Sequence, residues 1–299
     1  MTILGSSSAL PTSQRYPSAH VLNAHERFFL IDCGEGTQMQ LRKYRIKFGR
    51  IHHIFISHLH GDHVFGLYGL LSSMSLSGRE SAISLYAPAG FREILLSHLS
   101  DFDIHLNYDI DFIGLKGTQP AKIFENKNIS AFSFPLKHRV PAFGFLFREK
   151  EKERNILKEA INKYCIPVSE IHKIKKGSDF YTSEGKCIPN KEITVDPPKP
   201  RSFAYCSDTM YFKRLSEFVR DVDLLYHEAT FAAADKDLAK KTGHSTSEQA
   251  AMTAYDAHAQ RLIIGHFSAR YRDINLLLEE ARKIFPGTIA AEEGSIITV

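Results

Sequence analysis

The chain has 299 residues, of which 43% are hydrophobic and 24% charged, and its formal net charge is +4. This composition is typical of a globular protein and excludes a disordered or fibrous chain. No apolar run approaches the roughly 20 residues that cross a bilayer, and the N-terminus lacks a signal-peptide pattern, so we expect one main domain in the cytoplasm without membrane contact.

Charge and cysteine placement narrow the class of protein further. Residues 148–201 hold thirteen basic and nine acidic residues, which accounts for the whole net charge of +4. A local basic surface of this kind suits a polyanion-binding protein, although a Lys/Glu mixture is also typical of ordinary solvated surface. The four cysteines show no CxxC spacing, so we expect reduced, mostly buried thiols rather than a zinc ribbon or a disulfide framework.

Hydrophobic periodicity in the first part of the chain predicts a strand-rich start and a strand-to-helix turn. The predicted elements are strands at Thr2–Leu4, Ser18–Asn23 and Phe28–Asp32, a helix at Thr37–Tyr44, a strand at His53–Ser57 and a helix from about Asp62 to Ser75. In that last helix Val64, Leu67, Leu70 and Leu71 share one face. The turn before it is a favourable place for chemistry, because short loops at strand ends hold side chains rigidly yet leave them accessible.

The remaining chain alternates strands and helices in the same way, apart from one insertion. Strands are predicted at Ile83–Ala87, Ile129–Pro135, Gly144–Arg148, Ser202–Ser207, Leu224–Glu228, Arg261–His266 and Ser295–Val299. Helices are predicted at Gly90–Leu99, Tyr211–Val219, Ser247–Ala257 and Asp273–Ile284. Residues at about 149–200 are charge-rich and irregular, with one helix candidate at Arg154–Lys163, and we expect them to form a protruding insertion.

Metal-ligand side chains are concentrated in the turn after Ser57. Three imidazoles and a carboxylate fall within six residues: His58, His60, Asp62 and His63. Zinc accepts both imidazole nitrogen and carboxylate oxygen, and one such loop can offer ligands to two adjacent cations. A chance histidine-rich turn is the competing interpretation, since His52 and His53 are close by. The ordered spacing at a strand end favours a metal-dependent hydrolase.

This motif resembles the HxHxDH loop of the metallo-β-lactamase superfamily. The resemblance implies an α/β fold, a four-layer αββα sandwich, and further ligands at three later strand ends: His138, Asp208 and His266. By the family pattern His58, His60 and His138 hold one cation, Asp62, His63 and His266 hold the other, and Asp208 bridges them. We therefore expect two Zn²⁺ per subunit, with other divalent metals as alternatives. A structural or surface role is expected for His20, His25, His52, His53, His98, His105, His172 and His258.

Further motifs narrow the resemblance to one family. They lie at Gly5–Thr12, Asp32–Thr37, Ser207–Thr209, His227–Thr230 and Gly243–Thr246. Together with the metal motif they cover nearly the whole chain and resemble ribonuclease Z, the family of tRNA 3′-processing endonucleases. The His-Glu-Ala-Thr run is the most discriminating, although by itself it would suit an ordinary strand end. The resemblance implies removal of the 3′ trailer of precursor tRNA after the discriminator nucleotide, leaving a tRNA 3′-OH and a trailer 5′-phosphate.

The same resemblance implies three catalytic residues. Asp62 would orient the attacking water and accept its proton while also binding a cation. Glu228 would orient His244, and His244 would donate a proton to the departing 3′ oxygen, a role that suits imidazole near neutral pH. Two cations that share the water would lower its pKa and stabilise the negative charge of the transition state.

A role for the insertion at about 149–200 also follows from the resemblance, because bacterial enzymes of this family carry there a flexible arm that grips the tRNA elbow. Lys173, Lys175 and Lys176 are the candidates for RNA binding, through phosphate contacts that recognise shape rather than base sequence. The Gly-Pro pair often found near the arm tip is replaced by Pro167-Val168-Ser169-Glu170, so the contacts of the tip stay open. A homodimer, in which one subunit's arm presents tRNA to the other's metals, is implied too.

Two other functions remain open at this stage. A small-molecule phosphodiesterase or arylsulfatase of the same superfamily would share the metal ligands but would need no basic arm. An RNA-binding protein with a vestigial metal site is the alternative from a different class, and the complete ligand set disfavours it. The sequence does not decide whether precursors that contain CCA are cut.

Overall fold

The computed structural model describes every residue from Met1 to Val299. The chain forms two compact units, one made of Met1–Arg148 with Ser202–Val299, and a smaller one made of Glu149–Arg201. No helix in either unit combines the length and the apolar character needed to span a membrane.

The larger unit contains two large sheets, one two-stranded sheet and seven helices. Its elements before the insertion are β1 (Thr2–Gly5), β2 (Ser7–Ser8), β3 (Ala19–Ala24), β4 (Arg27–Cys33), α1 (Thr37–Lys43), β5 (Ile51–Phe55), α2 (Gly61–Leu76), β6 (Ile83–Pro88), α3 (Phe91–Asp101), β7 (Ile110–Leu115), β8 (Ala121–Glu125), β9 (Ile129–Pro135) and β10 (Phe143–Glu149). The smaller unit contains β11 (Asn155–Ile156), α4 (Lys158–Lys163), α5 (Val168–Lys175), β12 (Phe180–Tyr181), β13 (Cys187–Ile188), α6 (Asn190–Ile193) and β14 (Thr194–Val195). The chain then continues with β15 (Ser202–Cys206), α7 (Leu215–Phe218), β16 (Leu224–Glu228), α8 (Lys236–Thr242), α9 (Ser247–Asp256), β17 (Leu262–Gly265), β18 (Phe267–Ser268), α10 (Asn275–Ile284) and β19 (Thr288–Ala290).

The two large sheets each combine parallel and antiparallel strands. The first sheet runs β1-β3-β4-β5-β6-β7, and the second runs β19-β17-β16-β15-β10-β9-β8. In the first sheet β4 to β7 are parallel, and in the second β15, β16, β17 and β19 are parallel. Most crossovers between these parallel strands are helical, as parallel pairing requires.

Side-chain alternation along the strands separates two apolar cores. In β4, Phe29 and Ile31 join the core between the sheets, whereas Leu30 joins a second core under α1, α2 and α3. In β5, Phe55 likewise joins the core between the sheets, and Ile54 joins the core under the helices. The second sheet is covered by α9 and α10, whose buried residues extend the first core. The layers therefore follow the order helix, sheet, sheet, helix, and the expected four-layer αββα sandwich is confirmed.

The carboxyl ends of the parallel strands carry the chemistry-bearing loops. His58 follows β5, Asp208 follows β15, Glu228 ends β16 and His266 follows β17. Ligands of open α/β sheets bind at these strand ends. The expected apolar face of α2 is also confirmed, since Val64, Leu67, Leu70 and Leu71 are buried.

The smaller unit has an apolar core of its own. Six buried side chains form it: Ala160, Ile166, Ile174, Phe180, Ile188 and Ile193. Asn190 links separate segments of this unit by hydrogen bonds, since its side-chain amide nitrogen donates to the carbonyl oxygens of Ile174 at 2.7 Å and Ser178 at 2.8 Å. This segment is therefore more regular than the sequence predicted. It contains α5, which was not predicted, and its first helix begins at Lys158 because Asn155–Ile156 pairs with β14.

Several element predictions for the larger unit were wrong. The apolar run at Ser295–Val299 is not a strand; it meets β1 at one isolated bridge, Thr2 to Ile296, and the last strand of the second sheet is β19 instead. The helix predicted at Tyr211–Val219 is limited to Leu215–Phe218. Neither α8 nor the pair β7 and β8 was predicted, and β8 is a largely exposed edge strand whose apolar signal is weak.

Candidate active site

Four ligand-type side chains converge after β5, β9 and β15. The facing atoms are His58 Nε2, His60 Nδ1, His138 Nε2 and an oxygen of Asp208. His60 Nδ1 lies 3.1 Å from both other ring nitrogens, and Asp208 Oδ2 lies 3.4 Å from His58 Nε2 and 3.8 Å from His138 Nε2. We refer to these four residues as the first group.

A second group lies beside it. Here Asp62 Oδ2, His63 Nε2 and His266 Nε2 face one another at 3.2–3.5 Å. Asp208 contributes its other oxygen, because Oδ1 lies 3.3 Å from His63 Nε2 and 3.2 Å from His266 Nε2. One carboxylate therefore turns one oxygen to each group, which is the arrangement of a bridging ligand.

The donor geometry of each group is that of a divalent-cation site. With bonds of about 2.0–2.1 Å, tetrahedral ligand atoms around Zn²⁺ lie about 3.3 Å apart, and the separations in both groups scatter around that value. Nitrogen and carboxylate oxygen are also the donors that zinc prefers. The structure thus brings together all seven residues that the sequence nominated as ligands.

A layer of hydrogen bonds orients the ligand imidazoles. His63 Nδ1 donates to Asp32 at 2.8 Å, and His58 Nδ1 to the Ser57 hydroxyl at 3.0 Å. On the opposite side, His138 Nδ1 donates to the Gly243 carbonyl at 2.7 Å and His266 Nδ1 to the Thr230 hydroxyl at 2.9 Å. Such partners fix which ring nitrogen faces a cation.

Asp32 is the principal residue of this layer, and its role was not recognised in the sequence. Its fully buried carboxylate accepts from the Ser57 amide at 2.7 Å, the Tyr205 hydroxyl at 2.7 Å and His63. Burial opposes its charge, but His63 and these donors outweigh burial and lower the pKa of Asp32 below its usual range. The residue lies inside the motif Asp32–Thr37, which is the only signal that could have indicated it.

Buried charge in the two groups favours cation binding. Burial lowers the pKa of His58, His60 and His138, to about 4 for His138, so these imidazoles are neutral and have a lone pair to donate. Burial also opposes charge on His63, but the carboxylates of Asp208 and Asp62 outweigh it and raise the pKa of His63 well above its usual value. Carboxylates that hold a proton on an imidazole in this way also attract a divalent cation.

A buried pair formed by a histidine and a glutamate, His244 and Glu228, lies next to both groups. His244 Nδ1 lies 3.0 Å from Glu228 Oε1, and the Glu228 carboxylate also accepts from the amides of Thr209, Thr230 and Ser245 at 3.0 Å. Burial opposes charge on His244, but Glu228 and Asp208 outweigh it and raise the pKa of His244 to about 9. The imidazole is therefore protonated at neutral pH, and its Nε2 is the nitrogen left to face a substrate.

Asp62 combines ligand geometry with a permanent negative charge. Burial disfavours that charge, but His63 and His266 outweigh burial and hold the pKa of Asp62 well below its usual range. Its Oδ2 also accepts from the Ala9 amide at 2.8 Å, so the motif Gly5–Thr12 helps to orient it. A carboxylate with a low pKa can orient a water molecule by accepting its hydrogen bond, but it is a weak base.

Other nominated residues lie elsewhere. Lys173 and Lys175 are on α5 of the smaller unit and Lys176 caps that helix; Lys173 Nζ lies 2.9 Å from Glu170. His227 is buried, and its Nδ1 donates to the Glu228 carbonyl at 2.6 Å, so it belongs to neither group. The eight histidines expected to be structural or at the surface also lie outside both groups.

Two clefts border the loop that carries His138. One, of about 330 Å³, is lined by Lys137, Met210, Tyr211, Lys236, Asp237, Lys240, His244 and Gln249. The other, of about 500 Å³, is mostly apolar and is lined by Leu59, Pro88, Ala89, Gly90, Leu115, Lys116, Gly117, Val140, Pro141 and Phe143. Only the basic cleft includes a residue of the site, His244, in its wall.

Comparison with known proteins gives full-length matches. A protein named Ribonuclease Z from Bacteroides thetaiotaomicron is 46% identical over 99% of this chain and 94% of its own length. Another of that name, from Parabacteroides distasonis, is 46% identical over 100% of this chain and 98% of its own. The family model that matches, described as Anti-Pycsar protein Apyc1, covers residues 1–111, too little of the chain to define its family.

Solved structures agree in fold. Human tRNase Z, short form, superposes with a TM-score of 0.73 at 29% identity, covering 100% of this chain and 98% of that one. The metallo-beta-lactamase fold protein YhfI from Bacillus subtilis has a TM-score of 0.69 at 17% identity, covering 99% and 96%, and at that identity it supports the fold alone.

Proposed function

The chain belongs to the ribonuclease Z family, and from that premise we propose that it is a metal-dependent endonuclease that removes the 3′ trailer of precursor tRNA. The cut falls after the discriminator nucleotide and leaves a tRNA 3′-OH and a trailer 5′-phosphate. The observation that carries this proposal is the His244–Glu228 pair, at 3.0 Å, next to two complete groups of metal ligands. A nucleolytic centre needs both a charge-stabilising site and a proton for the leaving oxygen.

Two Zn²⁺ are the proposed cofactors. The three histidines of the first group, His58, His60 and His138, would hold one ion. Asp62, His63 and His266 of the second group would hold the other, and Asp208 directs one oxygen to each group. Cations in these positions would supply Lewis acidity and would stabilise the negative charge that develops on the phosphate.

The chain's own residues control the protons. Asp62 orients the attacking water and accepts its proton as the water oxygen bonds to phosphorus. The bond from phosphorus to the 3′ oxygen then breaks, and His244 passes its proton to that oxygen. Glu228 positions the imidazole and keeps it charged for this step, since it raises the pKa of His244 to about 9. Asp62 contributes chiefly by orientation, because its pKa is low.

The smaller unit is the proposed tRNA-binding arm. Lys173, Lys175 and Lys176 lie at the C-terminal end of α5, where cations interact favourably with the helix dipole. Their contacts would be with backbone phosphates, which add affinity without base specificity. Lys173 already pairs with Glu170, so Lys175 and Lys176 are the freer of the three to bind RNA.

A homodimer in the cytoplasm completes the proposal. Adjacent helices α1 and α2 expose the apolar side chains of Met39, Phe65 and Leu76, and exposed apolar surface of this kind is typical of protein interfaces. The four cysteines are free, which suits a reducing compartment. Contrary to expectation, only Cys33 and Cys206 are buried, whereas Cys165 and Cys187 are exposed.

The decisive experiment uses purified, zinc-loaded protein and a 3′-extended tRNA transcript. We expect one cut directly after the discriminator, with a 3′-OH and a 5′-phosphate at the new ends. A His63→Ala variant should lose metal and cleavage together. Cleavage inside the tRNA body, or hydrolysis of small phosphodiesters with the precursor left intact, would instead favour the small-molecule hydrolase.

A further inference from the structure

The basic cleft next to His244 has no part in the steps described so far. Three lysines and a single acidic residue line its volume of about 330 Å³. The cleft at the other end of the same loop is larger and mostly apolar. Of the two openings, only the basic one complements a phosphate. Its size, at the lower end for ligand pockets, suits one nucleotide rather than a duplex.

The lysines are held at a fixed position relative to the metal ligands. Lys137 precedes the ligand His138, and its carbonyl accepts from the Met210 amide at 2.7 Å. Lys236 and Lys240 are one turn apart on α8 and therefore share a face of that helix. The helix ends at Gly243, whose carbonyl accepts from His138 at 2.7 Å. A phosphate bound by these lysines would thus have a defined place relative to His138.

The proposed proton transfer from His244 indicates which nucleotide of the substrate the cleft binds. In the proposed reaction His244 protonates the 3′ oxygen of the discriminator nucleotide, so that nucleotide must lie on the His244 side of the scissile phosphate. The basic cleft is on that side, since His244 is one of its walls. The half-buried Tyr211 and Met210 offer an apolar surface on which a base can lie.

We propose that this cleft binds the discriminator nucleotide, with Lys137, Lys236 and Lys240 contacting the phosphate on its 5′ side. The inference rests on the proposed function and adds three positioning residues to it. Binding that phosphate places the 3′ oxygen next to His244. Lys137 Nζ also lies over the Phe212 ring, 4.9 Å from its centroid, so that lysine is partly ordered before substrate arrives.

The test compares Lys236→Ala/Lys240→Ala with Lys241→Ala, an exposed lysine on the same helix that does not line the cleft. With a 3′-extended tRNA, the double variant should lose about 10- to 100-fold in kcat/KM, mainly through KM. Its salt dependence should weaken by roughly one unit of slope for the lost phosphate contact. Lys241→Ala should match the wild type. Equal kinetics for both variants would overturn the proposal.

A neutral methylphosphonate locates the contact. Placed 5′ of the discriminator, it should slow the wild type by a larger factor than the double variant, in which only the Lys137 contact with this phosphate remains to be lost. Placed within the trailer, it should slow both proteins by the same factor. If the methylphosphonate 5′ of the discriminator slowed both proteins by the same factor, the cleft would not bind that phosphate. If the methylphosphonate in the trailer slowed the two proteins by different factors, the cleft would bind the trailer instead. A wild type that cuts no precursor would refute the proposed function itself, whereas normal cutting by the double variant would refute only the cleft.

Discussion

At the scale of single residues, proton delivery by His244 has a sharp chemical test. Its pKa of about 9 keeps the imidazole charged at neutral pH, as a general acid requires. We predict that His244→Ala slows cleavage of the natural precursor by about 10²- to 10⁴-fold. A precursor with sulfur in place of the bridging 3′ oxygen should restore the rate, because a thiolate leaves without a proton. Single-turnover rates on both substrates measure the difference.

The pH profile provides the control for that prediction. A raised histidine pKa means that the acid form is fully present well below pH 9 and is lost as the pH rises through about 9. Wild-type cleavage should therefore fall above that pH with the oxygen substrate and not with the sulfur substrate. If His244→Ala loses the same factor on both substrates, its imidazole is not the proton donor.

How far the site can be predicted also depends on the residue. Spacing identified His58 to His63, and family motifs supplied His138, Asp208, His266, Glu228 and His244, which the structure brings together. Asp32 was missed as an orienting residue because its partners are distant in sequence: Tyr205 is 173 positions away. Thr230 lay within a motif, yet its contact with His266 exists only after β16 and β17 pair. Such contacts leave no local pattern in the sequence.

At the scale of elements, periodicity predicted the central strands and α2 because their apolar faces are fully buried. The misses share a physical cause. The edge strand β8 and the short helix α8 bury few side chains, so the periodic signal is weak. The run Ile296–Val299 has strand-forming residues, but Ile296 is 80% exposed and only an isolated bridge forms there. The strand predicted there was wrong because strand propensity alone, without burial of the side chains, does not form a strand.

The end of α8 positions His138, a proposed metal ligand, and a glycine substitution tests this. Gly243 has φ +85°, and a Cβ there would lie 2.9 Å from His138 Nδ1. We predict that Gly243→Ala weakens metal binding at the first group by about 10- to 100-fold, because it displaces the hydrogen-bond partner of His138. Metal retained against a competing chelator measures this effect. The control is Gly78→Ala, with φ +80° and no atom within 4 Å, which keeps only the backbone strain. Equal metal loss in both variants would contradict the prediction.

Removal of the smaller unit tests its role in tRNA binding. Arg148 and Ser202 are directly opposed in the antiparallel pair β10 and β15, so residues 149–201 can be replaced by a two-residue Asn-Gly turn. We predict that this variant loses precursor-tRNA cleavage but still hydrolyses a small nitrophenyl phosphodiester. Both rates, with metal content, give the comparison. The variant Lys173→Ala/Lys175→Ala/Lys176→Ala should raise KM for the precursor alone. Loss of both activities in a folded deletion variant would refute the separation of roles.

At the scale of the whole molecule, the two sheets divide the chemistry. The loop after β5 of the first sheet supplies His58, His60, Asp62 and His63, whereas the second sheet supplies Asp208, Glu228 and His266. Neither sheet alone can complete a group, since Asp208 faces ligands from both. If these residues bind the cations as proposed, packing of the sheets is a condition for metal binding, and loss of the core between them should remove metal together with the fold.

Subunit association is the remaining prediction at this scale. Met39 on α1 and Leu76 on α2 are 61% and 89% exposed, and the two helices are joined by a hydrogen bond from Ser73 to Gln38 at 3.1 Å. We predict that the wild type sediments at twice the 33.9 kDa chain mass, because water is then excluded from this apolar face. Met39→Glu/Leu76→Glu should sediment as a monomer and cut precursor tRNA poorly, since in the proposed homodimer each arm serves the other subunit and would lose its partner. Leu276→Glu, on the exposed side of α10, should remain dimeric. A monomeric wild type, or a double variant that sediments like it, would show that this face has another purpose.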